Sequence, residues 1–257
     1  VFAELVRSLV AILHVDVAFI ARPSATSGTM DVLAIQLDGA PIPIARYELA
    51  GSPCAGVLDQ GFRVYPDRLC ERFPDEPMLR AIGIEGYAGY PLHDLGGATL
   101  GLVSISSRRP LTRLDRIESV MQVFAVRAAA EIERLRADET LRTSEESYRT
   151  IFASIEDGVV VHDWETGALV DVNPKACQTS GFRREDVLGA PLSIFCSRRE
   201  PYTEAHARRY LQLAREGRCP PYEWRGRKPD RSVAWFEVRL KAVSIGGVPR
   251  ILSMSRD

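Results

Sequence analysis

Between Leu114 and about Arg149 the chain runs without a glycine or a proline. Ala, Leu, Glu and Arg dominate the stretch, and all are good helix formers. Thr112, with Asp115 three residues on, comes close to a capping box at its start. As one helix it would be on the order of 50 Å long at ~1.5 Å per residue, against an average of ~11–12 residues for a helix in a globular domain. Ile117, Met121, Phe124, Ala128, Ile132 and Leu135 recur at spacings of three and four, and Leu141, Tyr148 and Phe152 resume the stripe after a polar break at Ala137–Thr140. Such spacing favours a coiled-coil seam, and the break resembles a stutter. Two readings stand: a helix lying on its own domain, or a connector that pairs with a second copy of itself. The second is the expectation, with the first half, around Phe124 and Val126, able to do both.

The helix divides 257 residues into segments of similar size, each long enough to bury its own core. The expected organisation is therefore a domain over 1–113, a connector over 114–149 and a second domain over 150–257. Hydrophobic content of 46% and charged content of 26% are ordinary for a soluble globular protein. Net charge is −1, so nothing global argues for nucleic acid or an anionic membrane surface. The segment after the helix holds 17 basic and 14 acidic residues, but its Arg residues are scattered rather than clustered with aromatics, as on a solvated face. Cys54, Cys70, Cys177, Cys196 and Cys219 show no CxxC and no metal-ligand spacing; they read as reduced thiols in a cytoplasmic setting. No signal peptide is visible and no apolar run approaches ~18 residues. The chain opens in mid-helix and stops at Ser255-Arg256-Asp257, and so reads as a piece of a longer protein.

Phe2, Leu5, Val6, Leu9 and Ile12 mark an amphipathic helix, followed by two strands around a turn at Ser24–Gly28. Ala55–Leu58 and Pro77–Ile82 predict short helices, and Phe62–Tyr65, Tyr87–Leu92 and Ala98–Ser106 predict strands. A helix, antiparallel strands and a closing helix make an α+β domain. The residues Leu49-Ala-Gly-Ser-Pro-Cys54, Phe73-Pro74, Tyr87 with Gly89-Tyr90-Pro91-Leu92, and Gly101-Leu102-Val103 together resemble a GAF domain, of the kind found in bacterial sensor kinases and cyclic-di-nucleotide enzymes. The resemblance covers about Val1–Leu111. It implies a small molecule, a tetrapyrrole or no ligand between the sheet and the segment at about Glu48–Ile84. The NKxnFxxxDE motif of cyclic-nucleotide-binding GAF domains is absent. Cys54 precedes a helix, where a thiol can have a lowered pKa, but its expected role is that of a small buried residue. GAF-fold free-methionine sulfoxide reductases are similar in outline and would make the protein an enzyme. Their catalytic Cys precedes the hairpin equivalent to Tyr87–Ser106, and Ala81–Gly86 holds none.

Beyond the connector, Gly158 reads as the helix terminator. Val159–Asp163 and Ala168–Asn173 predict strands, Asn173-Pro174 a helix start, Tyr202–Arg215 a longer helix, and Tyr222–Arg227, Val233–Val243 and Arg250–Ser255 three closing strands. With Asp157-Gly158-Val159, Val172-Asn173-Pro174-Lys175-Ala176, Ser180-Gly181-Phe182, Asp186-Val187-Leu188-Gly189 and Trp235-Phe236-Glu237-Val238, the segment Glu145–Asp257 closely resembles a PAS domain. The resemblance implies structural roles for Asn173 and Asp257. Flavin-binding light sensors of that family carry a photoreactive Cys where this chain has Leu192, so that chemistry is not expected; Cys196 comes four residues later. Haem-binding members use a His on the long helix; His206 lies on such a helix but reads as a surface residue, and haem is not expected.

No nucleophile, zinc or phosphate-binding motif stands out, and the expected protein is not itself an enzyme. The expectation is a sensory input module, cytoplasmic and homodimeric through its connector. It would pass a small cue or a partner's binding to an output domain outside the chain, of the histidine kinase or diguanylate cyclase type. The candidate ligand-binding residues are Cys54, Cys70, Tyr87 and His206, and the candidate dimer positions are Ile117, Met121, Phe124, Ala128, Leu135 and Leu141. No catalytic or metal-binding residue is assigned, and the cofactor is left open. The alternatives are a GAF-fold thiol redox enzyme and a ligand-free dimerisation scaffold.

Overall fold

The structure is a computed structural model that describes residues 1–43, 46–197 and 199–256; Asp257, expected to be structural, lies outside them. The chain forms two compact units, Val1–Leu141 and Arg142–Asp257, each an antiparallel sheet with helices.

In the first unit, helix α1 (Phe2–Leu13) precedes the hairpin β1 (Val17–Pro23) and β2 (Thr29–Leu37). Then come β3 (Ala40–Pro41), β4 (Arg46–Glu48), α2 (Ala55–Gln60), β5 (Arg63–Tyr65), α3 (Leu69–Arg72), α4 (Pro77–Ile82), β6 (Gly86–His93) and β7 (Thr99–Ser107). The sheet order is β3-β2-β1-β7-β6-β5, with β4 paired to β2. The period-2 alternation of strands sorts the side chains between two cores. Ala18 and Ile20 of β1, with Val103 and Ile105 of β7, pack beneath Leu5, Val6 and Leu9 of α1. Val17, Ala21 and Leu102 face the other way, towards Cys54, Leu69 and Ile84 of the connecting segment. β3, β4 and α3 were not expected: at two to four residues they are too short to carry a period.

Helix α5 (Leu114–Ser154) runs past the expected end at Arg149. The chain enters it through Arg113 in the left-handed region (φ 56°), whose carbonyl accepts the N–H groups of Arg116 and Ile117; the start is thus one residue beyond the expected cap at Thr112. Ile117, Met121, Ala125, Ala128, Ala129 and Ile132 are buried in the α1 core, each larger side chain stabilising the unit by about 1.5–3 kcal/mol. Ile117, Met121 and Ala128, expected on a seam between two copies of the helix, are therefore packing residues of the first unit. Gly158 does not terminate the helix. It opens β8, where an added Cβ would come 2.7 Å from Ser255 Oγ and 3.1 Å from Ala176 Cα, so its requirement is space.

The second unit holds β8 (Gly158–Asp163), β9 (Leu169–Val172), α6 (Pro174–Ser180), α7 (Arg184–Val187), a 3-10 turn at Leu192–Phe195, α8 (Glu204–Arg215), β10 (Tyr222–Arg227), β11 (Val233–Ile245) and β12 (Val248–Arg256), in the sheet order β10-β11-β12-β8-β9. Its hinge is Asn173, fully buried. Its Oδ1 accepts the N–H groups of Val159 and Ala176, each at 2.8 Å, and its Nδ2 donates to the Asp157 carbonyl at 3.0 Å. One amide thus caps α6 and ties it to the start of β8. The Asn-Pro start signal is explained by this network.

Candidate functional site

On the face of the first sheet away from α1 lies a cavity of about 440 Å³, within the ~300–1,000 Å³ of small-molecule sites. Phe19 and Val17 of β1, Val32 and Ile35 of β2, Tyr87 of β6 and Ser106 of β7 supply the sheet side. Tyr47 of β4, Ser52 and Cys54 before α2, and Asp75, Glu76 and Met78 around the start of α4 close the other side. Short elements do this because a cavity roof needs backbone that turns often. Gly89 makes room for the base: an added Cβ would sit 2.5 Å from Tyr87 Oη and from Val57 Cγ2.

At that base Tyr87 Oη donates to Cys54 Sγ at 3.3 Å. Burial pushes the Cys54 thiol up, and the Glu76 carboxylate adds to the rise. Burial likewise holds the Tyr87 and Tyr47 phenols above their ordinary range. Cys54 is thus a protonated, hydrogen-bonded thiol at neutral pH and a poor nucleophile. Tyr47 Oη lies close to Cys54 and near enough to the Glu76 carboxylate to feel its charge, and it is buried without a well-formed hydrogen bond among the described residues. Phe19 packs edge-on against the Tyr47 ring, centroids 5.7 Å apart at 82°.

Of the sequence candidates, Cys54 and Tyr87 come together in this cavity. Cys70 does not line it; its Sγ donates to the Ile84 carbonyl at 3.2 Å. His206 sits on α8 with Nδ1 3.0 Å from Glu200 Oε2 and 3.2 Å from Thr203 Oγ1, and it lines neither this cavity nor the next. Sequence reasoning passed over Phe19, Tyr47 and Glu76. The Glu-Pro pair at 76–77 was a legible helix start, and Glu76 does cap α4 through Met78 N, but nothing in the sequence says that its charge reaches inward.

The second unit encloses a smaller cavity of about 100 Å³ among residues of β8, α6, α8 and β10–β12. His162 borders it. Its Nδ1 is 3.1 Å from the Gly167 carbonyl, which can only accept, so Nδ1 carries the proton. Burial pushes its pKa down to about 4. Leu192 is buried there beside Cys196, whose Sγ donates to the Leu192 carbonyl at 3.3 Å and which burial pushes up to about 11. All five cysteines are free. Among the described residues no group of three or more His, Cys, Asp or Glu side chains could hold a metal ion, and no helix is long and apolar enough to cross a membrane. On α5, Phe124 is partly buried against the first core, while Leu135 and Leu141 are exposed, as are Val123, Val126 and Ile151.

A helix-backed antiparallel sheet with a cavity under its loop segment, followed by a five-stranded sheet wrapped around short helices, defines a sensory-domain pair. The family model of the GAF domain matches residues 1–132, and that of the PAS domain matches residues 156–257: the chain belongs to the GAF domain family and carries a PAS domain after it. The GAF match ends at Ile132, the last residue of α5 buried in the first core. A curated relative is the methyl sulfide methyltransferase-associated sensor of Methanosarcina acetivorans, 25% identical over 202 residues, which cover 76% of this chain and 19% of that protein. The chain thus spans about a fifth of the length of the curated relative it matches. Among solved structures it is similar to the PAS domain of an HTR-like protein from Haloarcula marismortui, at 22% identity and a TM-score of 0.39, covering 48% of this chain and 98% of that one. It is also similar to the E. coli DhaR(N)–DhaL complex, at 11% identity and a TM-score of 0.48, covering 97% of this chain and 82% of that one.

Proposed function

We propose that this chain is the sensory input module of a signalling protein. A small cue enters the cavity of the GAF domain and is relayed through α5, paired with a second copy of itself, to an output domain outside the chain. The observation that carries the reading is the placement of the cavity and the helix on opposite faces of one sheet. β1 and β7 send Phe19, Leu102 and Ser106 to the cavity side and Ile20, Val103 and Ile105 to the side on which Met121 and Ile132 pack. A ligand that binds two arrangements of that sheet unequally shifts the helix on its other face, and only such a difference in affinity moves anything. The seam runs along the exposed face of the helix, with Val123, Val126, Leu141 and Ile151, since the Met121–Ile132 face is already buried. The GAF-fold redox enzyme is disfavoured by Cys54 itself, a buried thiol whose ionisation is suppressed.

Native mass spectrometry of the protein as purified, with an absorption spectrum, tests the reading. The expected result is a dimer carrying a stoichiometric extra mass or binding an added small molecule. A monomer at micromolar concentration would rule out the paired relay.

A further inference from the structure

Among the residues that line the GAF cavity, three are carboxylic acids, Glu48, Asp75 and Glu76, and none is Arg, Lys or His. None of the three acids forms an ion pair among the described residues. Glu48 and Asp75 are exposed at the rim, whereas Glu76 is half-buried and its charge is felt at both Tyr47 and Cys54 deeper in the site. The interior is otherwise apolar and aromatic, with the rings of Phe19, Tyr47 and Tyr87 on its walls. A cation is attracted by aromatic faces and by a carboxylate whose screening by water falls with burial. An anion entering the same space meets three like charges and no counter-charge. Tyr47 Oη, buried beside the Cys54 thiol and without a well-formed hydrogen bond among the described residues, can accept a hydrogen bond from an N–H group. A buried polar group without a good partner is costly, so a ligand that satisfies it is favoured.

We propose that the cavity selects an organic ammonium ligand, a monocation with an apolar body small enough for about 440 Å³. The proposal rests on the reading that this cavity holds the cue and specifies its chemical class. The charged nitrogen sits between Glu76 and Tyr47 Oη, and the apolar body lies against Phe19 and the β2 wall.

The test compares three probes that share one ring and differ in charge: benzylammonium, benzyl alcohol and benzoate. Each is titrated at pH 7 into the full chain and its Glu76→Gln variant, and is followed by calorimetry and by NMR of 13C-methyl methionine. The four methionines report position: Met78 lines the cavity, Met30 lies in the core on the same side of the sheet, Met121 in the core that α1 and α5 share and Met254 on β12 of the PAS domain. Benzylammonium is expected to shift the Met78 methyl, to leave Met254 unmoved, and to bind about tenfold more tightly than benzyl alcohol, as one charge-assisted hydrogen bond provides. Glu76→Gln, whose amide oxygen still caps α4, should remove most of that preference; if the Gln variant does not fold, the order of the three probes on the unaltered chain decides alone. If benzyl alcohol or benzoate shifts Met78 as tightly as benzylammonium, the cavity stands as a ligand site and the cationic class is overturned. If none of the three moves Met78 at millimolar concentration, both are overturned.

Discussion

Asn173 joins three segments of the second domain through one buried amide. Its amide satisfies the N–H groups of Val159 and Ala176 and the carbonyl of Asp157. Asn173→Ala removes a helix cap, worth about 1 kcal/mol, and strands buried backbone groups at about 1–3 kcal/mol. The expected loss is about 2–4 kcal/mol for the PAS domain, read from denaturant unfolding. His162 sets a pH dependence. Unfolded, it takes a proton near 6.5; folded, burial delays protonation to about 4. Between those values the unfolded chain binds more protons, so stability falls as pH drops from about 6.5 to about 4 and is unaffected above. The shift sets an upper limit of about 3 kcal/mol. Asp163, held down to about 2 by the Thr166 N–H and hydroxyl and by Arg250, acts at lower pH, so the two windows separate. Melting temperatures of the wild type and His162→Gln between pH 4 and 7 should converge towards the acid end; parallel curves would remove His162 as the cause.

At the scale of elements, α5 has one apolar face buried in the first core and another exposed. Ile132→Glu places an uncompensated charge in the first core and should unfold the GAF domain, a loss above about 3 kcal/mol. Val126→Glu with Leu141→Glu touches only the exposed face. Both domains should keep their circular dichroism while the mass by light scattering falls from dimer to monomer. A dimer that persists in this double variant would move the interface off the helix. That the helix exists was legible in the sequence, because a run of strong helix formers without Gly or Pro leaves little else to form. Which apolar stripe meets the core was not legible. Met121, Ile132, Val123 and Val126 are all apolar, and only the packing of α5 onto the core shared by the sheet and α1 decides which are covered.

For the whole molecule, two compact units with separate cores predict two calorimetric transitions rather than one. Asn173→Ala should lower one transition and leave the other in place; a single shifted transition would show the domains to be coupled. The two cavities also differ in charge. The GAF cavity carries only carboxylates among its charged lining residues, whereas Arg227 and Lys228 border the PAS cavity. A benzylammonium-type probe should therefore report on the first domain alone.

Local regularity determined much from the sequence alone. Alternating strands, the Asn-Pro helix start and the long helix follow from propensities and periods that act over a few residues, and the GAF-then-PAS order from the resemblance that short motifs carry. The short elements β3, β4 and α3 have no such period, and β4 supplies Tyr47 and Glu48 to the cavity. Cys54 and Tyr87 were legible as members of one motif set, but their hydrogen bond required Gly89 to leave space beneath a ring. Cys70 and His206 were chosen by residue type, and the fold turns each to a local partner instead. Tyr47 and Glu76 gained their importance only from tertiary structure. Charge, burial and the quality of a hydrogen bond are properties of a surrounding volume, and that volume is assembled from segments far apart in the chain.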